Sequence, residues 1–79
     1  MKLYDYHGSC NRAGPRIRLR RTELGLSQEQ LAARLQLQGL ELNQKAVSRV
    51  ETGLRVLPDY ELPAFAAALE ADVSWLLDL

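Results

Sequence analysis

The sequence predicts an all-α domain of five short helices packed round one core. Helix-start signals, apolar residues at helical spacing and glycines at the ends of those repeats predict it together. Ser27 with Gln30 three residues later makes a capping box, Asn43 can cap a further segment, and Pro15 stands just after Gly14. Leu31, Ala32 and Leu35 share one helical face; so do Val47, Val50 and Leu54, and so do Leu62, Phe65, Ala66 and Leu69. Gly25 and Gly39 fall where repeats stop.

Taken in order, residues 1–13 (MKLYDYHGSCNRA) lack periodicity and read as a flexible N-terminal arm, leaving 14–79 as the domain. The first helix is expected from Pro15 to Gly25, with Ile17 and Leu24 inward and Leu19 outward. Arg21 falls between the two inward residues. Glu51 is in the same situation between Val47 and Leu54. A charge on an apolar face needs a partner, so Arg21 and Glu51 are expected to meet as a structural ion pair. The second helix opens at Ser27, with Leu26 and Leu31 able to close a hydrophobic staple. In the third, capped by Asn43, the residues Lys45, Arg49 and Thr52 point away from the valines; Ser48 lies at the margin and Gln44 on the exposed first turn.

LRVLP after Gly53 is a connector. Asp59 can cap a fourth helix, and Pro63 early in it either costs the first-turn hydrogen bond or moves the start to about residue 62. Asp72 is expected to cap a last short helix, VSWLLDL. Its Trp75 and Leu76 suit core filling, and Trp75 with Leu79 offers a dimer contact as the sharper alternative.

Composition bounds the function. With 79 residues there is room for one domain near the small end for independent folding. No run approaches the roughly 20 apolar residues of a membrane span, and MKLYDYHGS lacks the apolar stretch of a signal peptide. The single Cys10 excludes an intramolecular disulfide and fits a reducing cytoplasm. Net charge is zero, yet residues 1–55 hold all 10 Lys and Arg with half of the 10 acids, and 56–79 hold the other half with no base. A basic half and an acidic half imply an oriented field.

Catalysis finds no support. His7 is the one histidine and lies in the arm. No G-x-S-x-G, G-x-x-x-x-G-K or G-x-G-x-x-G is present. His7 and Cys10 are too few for a metal site. The expectation is a non-enzyme with no cofactor and no small-molecule ligand.

The outer side of the third helix points elsewhere. A helix presented by a preceding helix, with Gln, Lys and Arg near its start, is what a DNA major groove accepts. SQEQLAARL followed by VSRVETG resembles the phage repressor and Cro-type helix-turn-helix family, often called the XRE family. The resemblance reaches back to Ile17 and forward through PDYEL and ALEADVSWLL, covering about residues 15–78. It implies a lambda-repressor-like DNA-binding domain with the Arg21–Glu51 pairing. It also implies a cytoplasmic transcriptional regulator, a repressor of bacterial or phage origin, binding double-stranded DNA as a homodimer. On that reading Gln44, Lys45, Ser48 and Arg49 read bases, while Gln28, Asn43, Thr52 and Arg55 hold phosphates. Lys2, Tyr4, Tyr6, His7 and Arg12 are arm residues able to touch a DNA backbone, and Arg16, Arg18 and Arg20 can steer DNA.

Two departures stand out. LQLQGLELN lengthens the link between the motif helices, which reads as an extended first helix plus a longer turn. Arg20 stands where relatives carry an apolar residue. The alternative function is a protein-interaction module of the same fold, such as an antitoxin or anti-repressor. An RNA-binding domain would need aromatic stacking surfaces, which the basic half lacks outside the arm.

Overall fold

The computed structural model describes residues 5–79, so Lys2 and Tyr4 of the expected arm lie outside the described residues. Five helices follow: α1 (Gly14–Glu23), α2 (Gln28–Leu37), α3 (Gln44–Glu51), α4 (Leu62–Leu69) and α5 (Val73–Leu76). A 3₁₀ turn, Asp59–Glu61, leads into α4. The one β-type pairing among the described residues is an isolated bridge between Tyr6 and Ser9. The fold is all-α. None of its described helices is long and apolar enough to cross a membrane.

Local signals set the starts of the two central helices. The Ser27 hydroxyl accepts from the Gln30 N–H at 3.0 Å, and the Gln30 side-chain oxygen accepts from the Ser27 N–H at 2.8 Å, closing the capping box. Asn43 accepts from the Ala46 N–H at 2.8 Å. Between the two helices residues 38–43 form the long turn, after an α2 that runs to Leu37. It opens with Gly39 and Leu40 donating back to Gln36 and Leu35 carbonyls. Leu40 and Leu42 then pack on the core.

α3 buries Val47 and Val50 completely. Leu54, expected on the same face, is instead 64 % exposed. Gly53 adopts φ +80°, and the Leu54 N–H turns back to the Arg49 carbonyl. The chain has left the helix before Leu54, so the helical period no longer applies there.

α4 begins at Leu62 with Pro63 in its first turn, where a missing N–H costs nothing. Of the two expected acidic caps, Asp59 is corrected, since it belongs to the 3₁₀ turn and Glu61 precedes α4; Asp72 holds the N-cap position of α5 as expected, without a side-chain capping hydrogen bond. The far end of α4 is held from outside. Glu70 takes a left-handed conformation there. Arg20 donates to the Leu69 and Glu70 carbonyls at 2.9 and 3.3 Å, and Arg34 to the Ala68 carbonyl at 3.0 Å. Cations at a helix C-terminus satisfy its free carbonyls and oppose its dipole. Arg20 therefore links α1 to the end of α4 by a capping contact.

The core gathers Ile17 of α1, Leu31 and Leu35 of α2, Val47 and Val50 of α3, Phe65 and Leu69 of α4, and Leu76 of α5. Trp75 is half-buried, with the Arg16 guanidinium 4.6 Å from its ring centre.

The last residues of the segment expected to be an arm are packed on this body. The Cys10 N–H donates to the Gly53 carbonyl at 2.8 Å. The buried Asn11 amide donates to the Val50 and Arg55 carbonyls at 3.0 and 2.8 Å and accepts from the Gly14 N–H at 2.7 Å. One side chain thus caps the start of α1 and the end of α3. The approach is so close that a Cβ at Gly14 would collide with the Val50 carbonyl oxygen.

Candidate nucleic-acid interface

α3 is amphipathic, and its buried valines decide what it shows. Val47 and Val50 face α1 and α2, which pack against α3. Gln44, Lys45 and Arg49 are therefore exposed, and Ser48 is half-buried beside them. Asn43 and Thr52, at the two ends of α3, are exposed as well.

Behind this surface lies the expected ion pair. Arg21 Nε donates to Glu51 Oε2 at 2.6 Å and Nη2 to Oε1 at 3.0 Å, a side-on fork against a carboxylate 1 % exposed. The third arm of the guanidinium reaches the Leu26 carbonyl at 2.8 Å. These hydrogen bonds from Glu51 hold the Arg21 pKa above its ordinary value against the opposing effect of burial.

The pair extends to the surface. Gln28 donates to Glu51 Oε1 at 3.1 Å, and Gln44 donates to the Gln28 side-chain oxygen at 2.6 Å. Arg21, Glu51, Gln28 and Gln44 thus form one hydrogen-bonded chain from the interior to the first residue of α3. A shallow open recess lined by Arg21, Ser27, Gln28, Glu29 and Gln44 lies at its outer end.

Charge is distributed unevenly. Arg16, Arg20, Arg21, Arg34 and Arg55 each face a carboxylate, of Asp78, Glu23, Glu51, Glu70 and Glu61 respectively. Acids of the C-terminal half thus neutralise Arg16, Arg34 and Arg55. Lys45 and Arg49 have no carboxylate partner among the described residues, although both are exposed. Arg12 and Arg18 are likewise exposed with no carboxylate partner among the described residues, so the outer face of α3 carries two of the four uncompensated arginine and lysine charges described.

The fold of α2, a turn and α3, with α3 seated across α2 and bearing this exposed face, is matched by a family model described as a helix-turn-helix domain, over residues 12–76. The chain belongs to the helix-turn-helix domain family. No curated protein matches it. Within this all-α DNA-binding fold, α2 and α3 are the motif helices, and the link between them is the long turn at 38–43.

Two of the residues expected at phosphates are engaged within this helix-turn-helix domain. Arg55 is held by Glu61, through Nη1 to Oε1 at 2.7 Å and Nη2 to Oε2 at 3.2 Å, and Nη1 also reaches the Val56 carbonyl. Its charge is neutralised and half-buried, so a phosphate would have to compete with Glu61 for it. The Thr52 hydroxyl donates to the Ser48 carbonyl at 2.9 Å; its one proton is already used within α3. Asn43 is different. Its oxygen caps α3, and its amide N–H groups have no partner among the described residues.

Sequence reasoning missed three parts of this arrangement. Asn11 was readable as a cap, since it precedes Gly14 by three residues, the spacing of Ser27 to Gln30. The Arg55–Glu61 pair and the reach of Arg20 and Arg34 to the end of α4 had no comparable local signal.

Proposed function

We propose that this domain is a sequence-specific DNA-binding regulator of the phage repressor and Cro type, a cytoplasmic repressor of bacterial or phage origin. The observation that carries the reading is the pair of unpartnered cations, Lys45 and Arg49, on the outer face of a helix whose other side is core. Gln44, Lys45 and Arg49 read base edges, and Ser48 assists. Gln28 and Asn43 hold phosphates through their amides. Lysine and arginine match guanine acceptors, and glutamine matches the acceptor and donor of adenine. The domain acts by binding, with no chemical step.

One short helix reaches only a few base pairs, so the regulator works as a homodimer on two-fold sites with half-sites about one helical turn apart. The exposed Leu79 and half-buried Trp75 on the α5 side offer the first surface for that contact. Selection from random duplex DNA, followed by sequencing and sedimentation of the complex, tests the proposal. Enriched palindromes and a two-to-one complex are expected. An unenriched pool would overturn DNA reading in favour of a protein-interaction module. Enriched sites without symmetry in a one-to-one complex would overturn the dimer.

A further inference from the structure

The chain of hydrogen bonds from Arg21 to Gln44 has a direction, and chemistry fixes it. Arg21 donates only, and an ionised carboxylate accepts only. Glu51 accepts both Arg21 nitrogens and, at Oε1, a third hydrogen bond from Gln28. Gln28 must therefore turn its NH₂ toward Glu51 and its oxygen toward Gln44. Gln44 must then turn its own NH₂ toward Gln28, as the 2.6 Å contact has it. What remains for the solvent side is one Gln44 N–H and the Gln44 oxygen: a donor beside an acceptor. An amide with no such neighbour rotates freely and shows either arrangement.

We infer that Glu51, buried and remote from any DNA, is a positioning residue for specificity: it sets the polarity of the Gln28–Gln44 amide chain and so the hydrogen-bonding pattern that Gln44 presents to a base. The inference rests on the proposed reading that Gln44 faces a base edge. A donor beside an acceptor matches adenine, whose major-groove edge offers N7 as acceptor and the N6 amino group as donor. The reversed polarity, with Gln44 accepting from Gln28, would leave both Gln44 N–H groups outward. That pattern suits guanine, which offers two acceptors, N7 and O6.

Glu51→Gln tests the relay because it can reverse it. The shorter of the two Arg21 contacts is at Oε2, so the new side-chain oxygen belongs there, facing Nε. The new NH₂ then takes the Oε1 place, where it gives up the hydrogen bond from Arg21 Nη2 and can donate to Gln28. Gln28 must flip to accept, and Gln44 must flip in turn. Gln28→Ala is the companion variant. It cuts the chain while leaving the Arg21–Glu51 fork in place, so an unchanged preference in Gln28→Ala still overturns the relay if Glu51→Gln fails to fold.

The experiment measures affinity of the full chain for its selected site and for the single-base variants at each position. Gln44→Ala first locates the base pair that Gln44 reads, as the one position where preference collapses. At that position the unaltered domain is expected to prefer adenine over guanine by about tenfold. Glu51→Gln and Gln28→Ala are each expected to remove most of that preference, with preferences at other positions kept. A merely structural role would lower affinity for all sequences alike and leave the adenine preference in place; Gln28→Ala adds such a uniform loss of its own, because Gln28 also holds a phosphate on the proposed reading. If Gln44→Ala changes no single-base preference, the base-reading role of Gln44 falls and the inference falls with it. If it does, but folded Glu51→Gln and Gln28→Ala keep the adenine preference, the relay alone is overturned and the reading stands.

Discussion

Arg55 grips Glu61 with two guanidinium nitrogens at 2.7 and 3.2 Å, tying the start of the α3–α4 connector to the turn that leads into α4. Glu61 is buried, so losing Arg55 strands a carboxylate. Arg55→Ala is expected to lower stability by about 1–3 kcal/mol in urea melts. Its effect on DNA affinity should have an unchanged salt slope. A slope shallower by about one would show a phosphate contact after all. Hydrogen bonding to Glu61 raises the Arg55 pKa. A raised folded-state value means stabilisation present below the ordinary arginine range and lost only as pH rises through the raised value. This guanidinium's contribution is therefore constant across neutral pH.

The Arg21–Glu51 fork calls for a double-mutant cycle. Arg21→Ala or Glu51→Ala alone is expected to cost about 3–5 kcal/mol, because each leaves the other charge buried without its partner. The double variant should lose clearly less than the two losses together. Strict additivity in denaturant melts would mean that the two charges do not act as a pair.

Arg49 distinguishes base reading from phosphate holding. As a base reader, Arg49→Ala should cost about 1–3 kcal/mol on the selected site and relax preference at one position. A phosphate contact would instead give a loss uniform across sequences and a salt slope shallower by about one. Titrations of the site and its single-base variants at two salt concentrations separate these, and no change in either would remove Arg49 from the interface.

Asn11→Ala should destabilise the domain although it touches no part of the proposed DNA face. It leaves the Arg55 carbonyl and the Gly14 N–H without their side-chain partner and takes one of two from the Val50 carbonyl, which keeps the Gly53 N–H. A loss of about 1–3 kcal/mol is expected for each buried group left unsatisfied, so thermal melting should fall well beyond the scatter of surface variants. Gly14→Ala, whose methyl meets the Val50 carbonyl, should be comparably damaging. Unchanged melting temperatures would show that residues 9–14 do not support α3 in solution.

The features legible in the sequence are those written locally. The Ser27 box and the Asn43 cap need only neighbouring residues, and both are present as read. The Arg21–Glu51 pair was accessible because each charge interrupts an apolar face and demands a partner. Arg20 and Arg34 were not accessible in the same way. Their acceptors are backbone carbonyls of α4, which no residue type announces. Arg55 finds Glu61 only because the connector folds back into a 3₁₀ turn. Leu54 was placed on the core face by continuing the helical period one residue past the glycine that ends it.

The long turn between α2 and α3 contributes leucines of its own to the hydrophobic core, Leu40 and Leu42, while Leu37 just before it stands 86 % exposed. Deleting such a segment residue by residue would strip core side chains before it brought the helices into a shorter register, so the intermediate lengths are the unstable ones. The spacing of the two motif helices is thus guarded by packing. It can change in one step that removes or adds the whole elbow with its buried residues, and hardly at all by gradual trimming.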